Sequence, residues 1–177
     1  ADAWCDTVEA GVLTSAATAK LVAGAAEAID GAQVLSGVIV LHELVRLGAP
    51  EAAIAPLERV RRSAPDSWLL AFVADRARAE LDADIEAIAR LARRAEARWP
   101  IAAAELHLAR QDLATARHDD ATAVRAAFEA HRVATSLGKV LPWTLRRIAD
   151  PLTERERHVA TTVAGGASNR SVAEAAG

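Results

Sequence analysis

Cysteine is almost missing from this chain. Cys5 stands alone among 177 residues, so no internal disulfide is available, and a reducing compartment, the cytoplasm, is the expectation. Methionine is absent altogether, so the expectation is an excised or cleaved piece of a longer protein rather than a chain that begins at its natural start. Residues 1–11 carry Asp2, Asp6 and Glu9 and no basic side chain, so no secretory leader is visible. The most apolar run, 34–47, is too short for a bilayer and holds His42, Glu43 and Arg46. It reads as a central buried helix, and no membrane is expected as a partner. Neither G-x-x-x-x-G-K-[ST] nor G-x-G-x-x-G occurs, which removes the phosphate-binding loops; no cofactor is expected. Aromatic residues make up only 3% of the chain, so large rings do not build its interior.

Alanine fills that gap. The hydrophobic fraction is 52%, much of it alanine, the strongest helix former and one that loses no side-chain entropy on folding. The alternating β-branched pattern of strands is missing. The fold class predicted is all-α, with helices that approach closely across small residues. The net charge of −3 gives the bulk of the chain no attraction for nucleic acid.

Turn residues mark off helical segments. Gly31, Gly48-Ala49-Pro50, Ala64-Pro65, Pro100, Asp119-Asp120 and Gly138 separate 15–30, 32–47, 51–63, 66–82, 83–98, 101–117, 120–137 and 142–149. Within them apolar residues recur at helical spacing. One stripe is Leu70, Val73, Ala74, Ala77 and Leu81; a second is Ile85, Ile88, Ala92, Ala95 and Trp99; a third is Ala102, Leu106, Ala109, Leu113 and Ala116. Helix pairs follow one another at about 34 residues, the period of tetratricopeptide-type hairpins. The large aromatic positions of that repeat are missing, although 105–138 keeps its layout with Phe128 and Ala130 on the second helix. Residues 1–150 therefore read as degenerate tetratricopeptide-like antiparallel hairpins stacked as a superhelix.

The tail, 152-LTERERHVATTVAGGASNRSVAEAAG-177, is organised differently. Pro151 separates it from what precedes. Thr153 and Glu156 fit a capping box, in which the hydroxyl accepts from the Glu156 amide and the carboxylate accepts from the Thr153 amide. Val159 and Val163 share a helix face, Gly165-Gly166 stops the helix, and Ser168 caps a second one lined by Val172 and Ala176. Helix, glycine turn, helix describes a helix-turn-helix.

On these residues the tail resembles the DNA-binding domain of LuxR-type (NarL/FixJ-type) transcription regulators. Leu152, Thr153, Arg155, Glu156, Val159, Val163, Ala164, Gly166, Ser168, Asn169, Arg170 and Ala173 stand in the order of that family's pattern without a gap. His158, Ala160, Thr162, Ser171 and Ala176 depart from it. The resemblance implies that 151–177 is the first two helices of the reader, with the recognition helix still to come. It implies that Thr153, Arg155, Ser168, Asn169 and Arg170 contact or position the DNA backbone, since phosphate contacts position a protein and base contacts specify. DNA is then a partner of the full-length protein only. Val159, Val163 and Val172 are expected to be covered or poorly ordered. Repeats followed by such a reader also resemble large bacterial regulators with an upstream ATPase domain, which implies self-association or a protein partner through the repeats, and a small-molecule inducer. The alternative is a helical-repeat interaction scaffold with no role on DNA.

Enzyme chemistry finds little purchase, and no enzyme is expected. His42-Glu43 lacks the second histidine of H-E-x-x-H. His107, His118 and His131 approach one another only if hairpins align them, with Asp119 or Asp120 beside them; scattered histidines of this kind are ordinarily solvated, and no metal site is expected. Arg61-Arg62 and Arg93-Arg94 read as exposed helix faces among acids. Trp4, Trp68, Trp99 and Trp143 stand near helix ends and read as hairpin packing rather than a ligand groove.

Overall fold

A computed structural model describes residues 13–138, 143–145, 148 and 152–164. Among them every regular element is helical and no strand occurs, as the alanine-rich composition requires. The helices are α1 (Ser15–Asp30), α2 (Val34–Arg46), α3 (Pro50–Ser63), α4 (Trp68–Leu81), α5 (Ile85–Ala95), α6 (Pro100–Ala116), α7 (Asp120–Ser136) and α8 (Glu154–Ala164), with a 3-10 turn at Trp143–Leu145. The chain forms two compact units, 1–95 and 96–177. The division falls inside the span that reads as one repeat domain in the sequence.

One turn closes four of the helices. The amides of Gln33, Ala49, Asp84 and Asp119 each reach back five residues, to the carbonyls of Ala28, Leu44, Ala79 and Ala114, at 2.7–3.0 Å. The residue before each donor has positive φ: Ala32 at 63°, Gly48 at 86°, Ala83 at 50° and His118 at 58°. This is the Schellman closure, which satisfies the last carbonyls of a helix. Only one of the four is glycine; each of the other three bears a left-handed cost of about 1 kcal/mol. At two of the four turns the side chain of the residue after the kink then caps the next helix. Asp84 accepts from the amide of Ala87 at 2.9 Å, and Asp119 from that of Thr122 at 3.1 Å. Positions 48, 83 and 118 lie 35 apart, so the repeat is visible in backbone geometry where side-chain consensus is weak.

In the first unit α1 packs on α2, α3 on α4, and α2 and α4 also meet. Val38, Leu41, Leu44 and Val45 of α2, Leu57 of α3 and Phe72 and Val73 of α4 are buried where these helices meet. Full burial of each such side chain contributes about 1.5–3 kcal/mol. Trp68 stacks on Phe72 with ring centroids 5.1 Å apart, in keeping with a packing role for that tryptophan. The run 34–47 is not buried all round, contrary to expectation: Leu35 and Ile39 lie exposed on its outer face. No helix of the described residues is long and apolar enough to cross a membrane.

In the second unit α6 packs closely on α7. Ala102, Ala103, Ala104 and Ala114 on one helix and Ala126, Ala130 and Ala134 on the other are buried, so small side chains bring the two backbones together. The expected α6 stripe is too narrow. Every residue from Ala102 to Leu108 is buried, while Ala116 is exposed. Helices enclosed on several sides carry polar groups inside, and here these are Glu105, His107 and Arg110. Leu81, which the apolar stripe placed inside, lies outward, and Phe128, the repeat-layout aromatic, is 41% exposed. The helix expected over 142–149 is a 3-10 turn in its described part, with Ile148 in no helix. The turn is tied to α6 by a hydrogen bond from Thr144 Oγ1 to Glu105 Oε1 at 2.7 Å, and Leu145 is fully buried.

Candidate functional site

Two places in the second unit bring polar side chains together in a way the packing does not require. One is the start of α8. The Thr153 amide donates to Glu156 Oε2 at 2.8 Å, the Thr153 hydroxyl donates to the same oxygen at 2.7 Å, and the Glu156 amide approaches the hydroxyl at 3.3 Å. This is the reciprocal capping box read from the sequence. The hydrogen bonds from Thr153, side chain first and backbone second, hold the Glu156 carboxyl below its ordinary range. Arg157 Nη2 donates to the Leu152 carbonyl at 3.2 Å, which folds that guanidinium against the chain before the helix.

Arg155 is exposed on the first turn of α8. An arginine at a helix N-terminus, where the helix dipole favours anions, is suited to a phosphate. The helix runs to Ala164, the residue before Gly165-Gly166. Ser168, Asn169 and Arg170 lie outside the described residues, as does Val172. Coverage of the valines is met only in part: Val159 is half-buried, whereas Val163 is 48% exposed.

The other place is a histidine between two carboxylates. Glu96 follows α5 in sequence, His107 is in the middle of α6, and Glu129 is on α7. One ligand-type atom from each lies within 4.8 Å of the other two, the one such group of three among the described residues. Neither His118 nor His131 is part of it. His107 is only 3% exposed, and neither ring nitrogen has a hydrogen-bond partner in the protein. Its Nε2 is 3.8 Å from Glu96 Oε1, beyond hydrogen-bond reach. Burial without a partner costs about 1–3 kcal/mol for each such polar group. Desolvation is also the chief reason that the His107 pKa is lowered, against the opposing pull of Glu129 and Glu96; Arg110 adds to the lowering. Neutral imidazole is the form that ligates a metal. Arg132 spans the two acids: its Nη2 is 2.9 Å from Glu96 Oε1 and 2.7 Å from Glu129 Oε2.

Sequence spacing did not announce this cluster, because its members stand at unrelated intervals on different segments. The signal available was a histidine inside an alanine- and leucine-rich stretch.

Other polar groups have structural work. His42 Nε2 lies 3.0 Å from Arg76 Nη1, and since guanidinium only donates, His42 accepts. Arg76 Nε donates to Glu80 Oε1 at 2.7 Å. This buried link joins α2 to α4. Glu43 pairs with Arg46 on its own helix. Arg61 and Arg94 both reach Asp75, at 3.0 and 3.5 Å, so these members of the two arginine pairs are engaged with an acid on an exposed face.

Comparison with protein-family models, curated proteins and solved structures finds no match to this chain.

Proposed function

We propose that the chain is part of a transcription regulator of the LuxR type, in which helical hairpins form a sensing or assembly platform and 151–177 supply the opening helices of a DNA reader. The reading rests on the ordered residue match from Leu152 to Ala173. The observation that carries it is the Thr153–Glu156 capping box at the head of α8, with Arg155 presented on the same turn. A capping box fixes where the helix begins, and therefore which side chains stand at its N-terminal end. On this reading Thr153 and Arg155 approach the backbone of a duplex, and the family resemblance gives Ser168, Asn169 and Arg170 the same role. Backbone contacts set register, and a third helix would read bases in the major groove.

The hairpins suit the platform role. Stacked helical pairs present extended surfaces for protein or small-molecule partners. Catalysis has no part in the proposal, and a reducing, cytoplasmic setting accords with the lone Cys5.

The gene itself provides the test. Reading past the codon for Gly177 is expected to give a third helix with a pattern close to x-S-x-x-T-V-x-x-H. A stop codon or an unrelated linker there would leave a repeat scaffold without a reader.

A further inference from the structure

We propose that Glu96, His107 and Glu129 form a binding site for a divalent transition-metal ion of the zinc class. The site is independent of the regulator reading, because it involves none of the residues on which that reading rests.

Three observations converge. The chemistry of the donors is right: one imidazole and two carboxylates make a nitrogen-and-oxygen set that suits Zn2+ and its neighbours better than Mg2+ or Ca2+, which take oxygen alone. The distances are near. Tetrahedral bonds of about 2.0–2.1 Å put ligand atoms about 3.3 Å apart, against 3.8 Å between His107 Nε2 and Glu96 Oε1 and at most 4.8 Å across the group. Rotation of the two glutamates, both partly exposed, closes that gap. His107 itself is the independent sign: it is 3% exposed, beside both carboxylates, and neither ring nitrogen makes a hydrogen bond, its nearest approach being 3.8 Å to Glu96 Oε1. Core packing alone would favour leucine there, since a buried imidazole with nothing to bond is destabilising.

Arg132 is the obstacle and the handle. Its guanidinium bridges Glu96 and Glu129 and neutralises one of their two charges. A divalent ion neutralises both. The Arg132 side chain is 56% exposed, so it can swing into water when an ion displaces it. Arginine and metal therefore compete for the same two carboxylates, and removing the arginine strengthens the metal site. Three protein ligands leave the fourth position to water, an open arrangement that also admits an anionic partner group.

The test is calorimetric titration of the whole chain with ZnCl2, alongside MgCl2 and CaCl2. One Zn2+ per chain is expected, bound at least tenfold more tightly than Mg2+ or Ca2+. Arg132→Gln is expected to tighten Zn2+ at least threefold, and Glu129→Gln, at a partly exposed position that folding tolerates, to weaken it at least tenfold. His107→Gln is expected to abolish the site, while His118→Gln and His131→Gln leave it unchanged. In the wild-type chain Zn2+ should also shift the His107 ring-nitrogen NMR resonances, a readout that does not depend on any variant folding. Absence of Zn2+ binding, equal binding of Mg2+, undiminished binding by Glu129→Gln, or unmoved His107 resonances at saturation would each overturn the assignment.

Discussion

Replacing Gly37 by alanine and replacing Gly24 by alanine are the same chemical change, and the structure predicts opposite signs for them. Both glycines are inside helices, Gly24 in α1 and Gly37 in α2. Alanine in a helix interior gains about 0.5–1 kcal/mol over glycine, because the unfolded chain has less freedom to lose. At Gly24 nothing lies within 4 Å of an added methyl, so that gain is realised in full. At Gly37 the methyl would stand 2.5 Å from Ile29 Cγ1 and 2.8 Å from the Ala25 carbonyl oxygen. The isoleucine can turn aside, but the carbonyl belongs to the backbone of α1. It moves only if α1 backs away from α2 and loosens the contact around the fully buried Ala25. Overpacking of this kind costs about 1–3 kcal/mol. Set against the propensity gain, Gly37→Ala comes out destabilising by about 1–2 kcal/mol. Urea unfolding of the whole chain, with hydrogen exchange at the α1 and α2 amides to localise the effect, measures both variants. A Gly37→Ala variant whose midpoint rises as Gly24→Ala's does would refute the close approach of the two helices.

Other consequences follow from individual contacts. Glu80→Ala removes the Glu80 carboxylate from the buried Arg76 and should cost about 3 kcal/mol in thermal or urea unfolding, part of which Arg76→Met in the same chain restores. Asp119 has its carboxyl held below the usual range by the Thr122 hydrogen bonds, side chain first and then backbone. A lowered folded pKa stabilises the protein above the ordinary aspartate value. That contribution is lost as pH falls through the folded pKa, and Asp119→Asn should flatten this part of a stability-against-pH curve. Glu156 obeys the same sign, so α8 helicity, followed by its carbonyl NMR shifts, should decline on acidification below the ordinary glutamate range and do so less in Glu156→Gln.

The helices were legible because their start and stop signals are local. Proline at the head of α3 and α6, Thr153 with Glu156, and the Asp119 cap each act within a turn. The faces were less legible. The run 34–47 read as a buried helix, yet Leu35 and Ile39 are exposed while Gly37, Val38, Leu41 and Leu44 are buried. The opposite error arose at α6, where His107 read as a solvated histidine and is buried, along with Glu105 and Arg110. Helical period gives the angular positions of side chains but not how many neighbouring helices surround them. The repeat itself was legible as a spacing, whereas its cause was not. The equivalent Ala79–Asp84 and Ala114–Asp119 segments close the same turn, with Ala83 and His118 at positive φ where glycine would have been the visible signal. Of the residues the resemblance assigns to DNA, Arg155 falls on α8 and Thr153 caps it; Ser168, Asn169 and Arg170 are outside the described residues. The Glu96–His107–Glu129 group depends on how segments far apart in sequence meet, which no spacing rule encodes.

The regulator reading is tested most directly by the affinity of the full-length gene product for duplex DNA, measured by fluorescence anisotropy over a series of salt concentrations. A reader that contacts phosphates loses affinity linearly in log salt, with a slope of about −0.9 per phosphate neutralised. Arg155→Gln should make that slope shallower by about 1. Affinity that is negligible, indifferent to salt, or unchanged in slope by Arg155→Gln would contradict the placement of α8 on the DNA backbone.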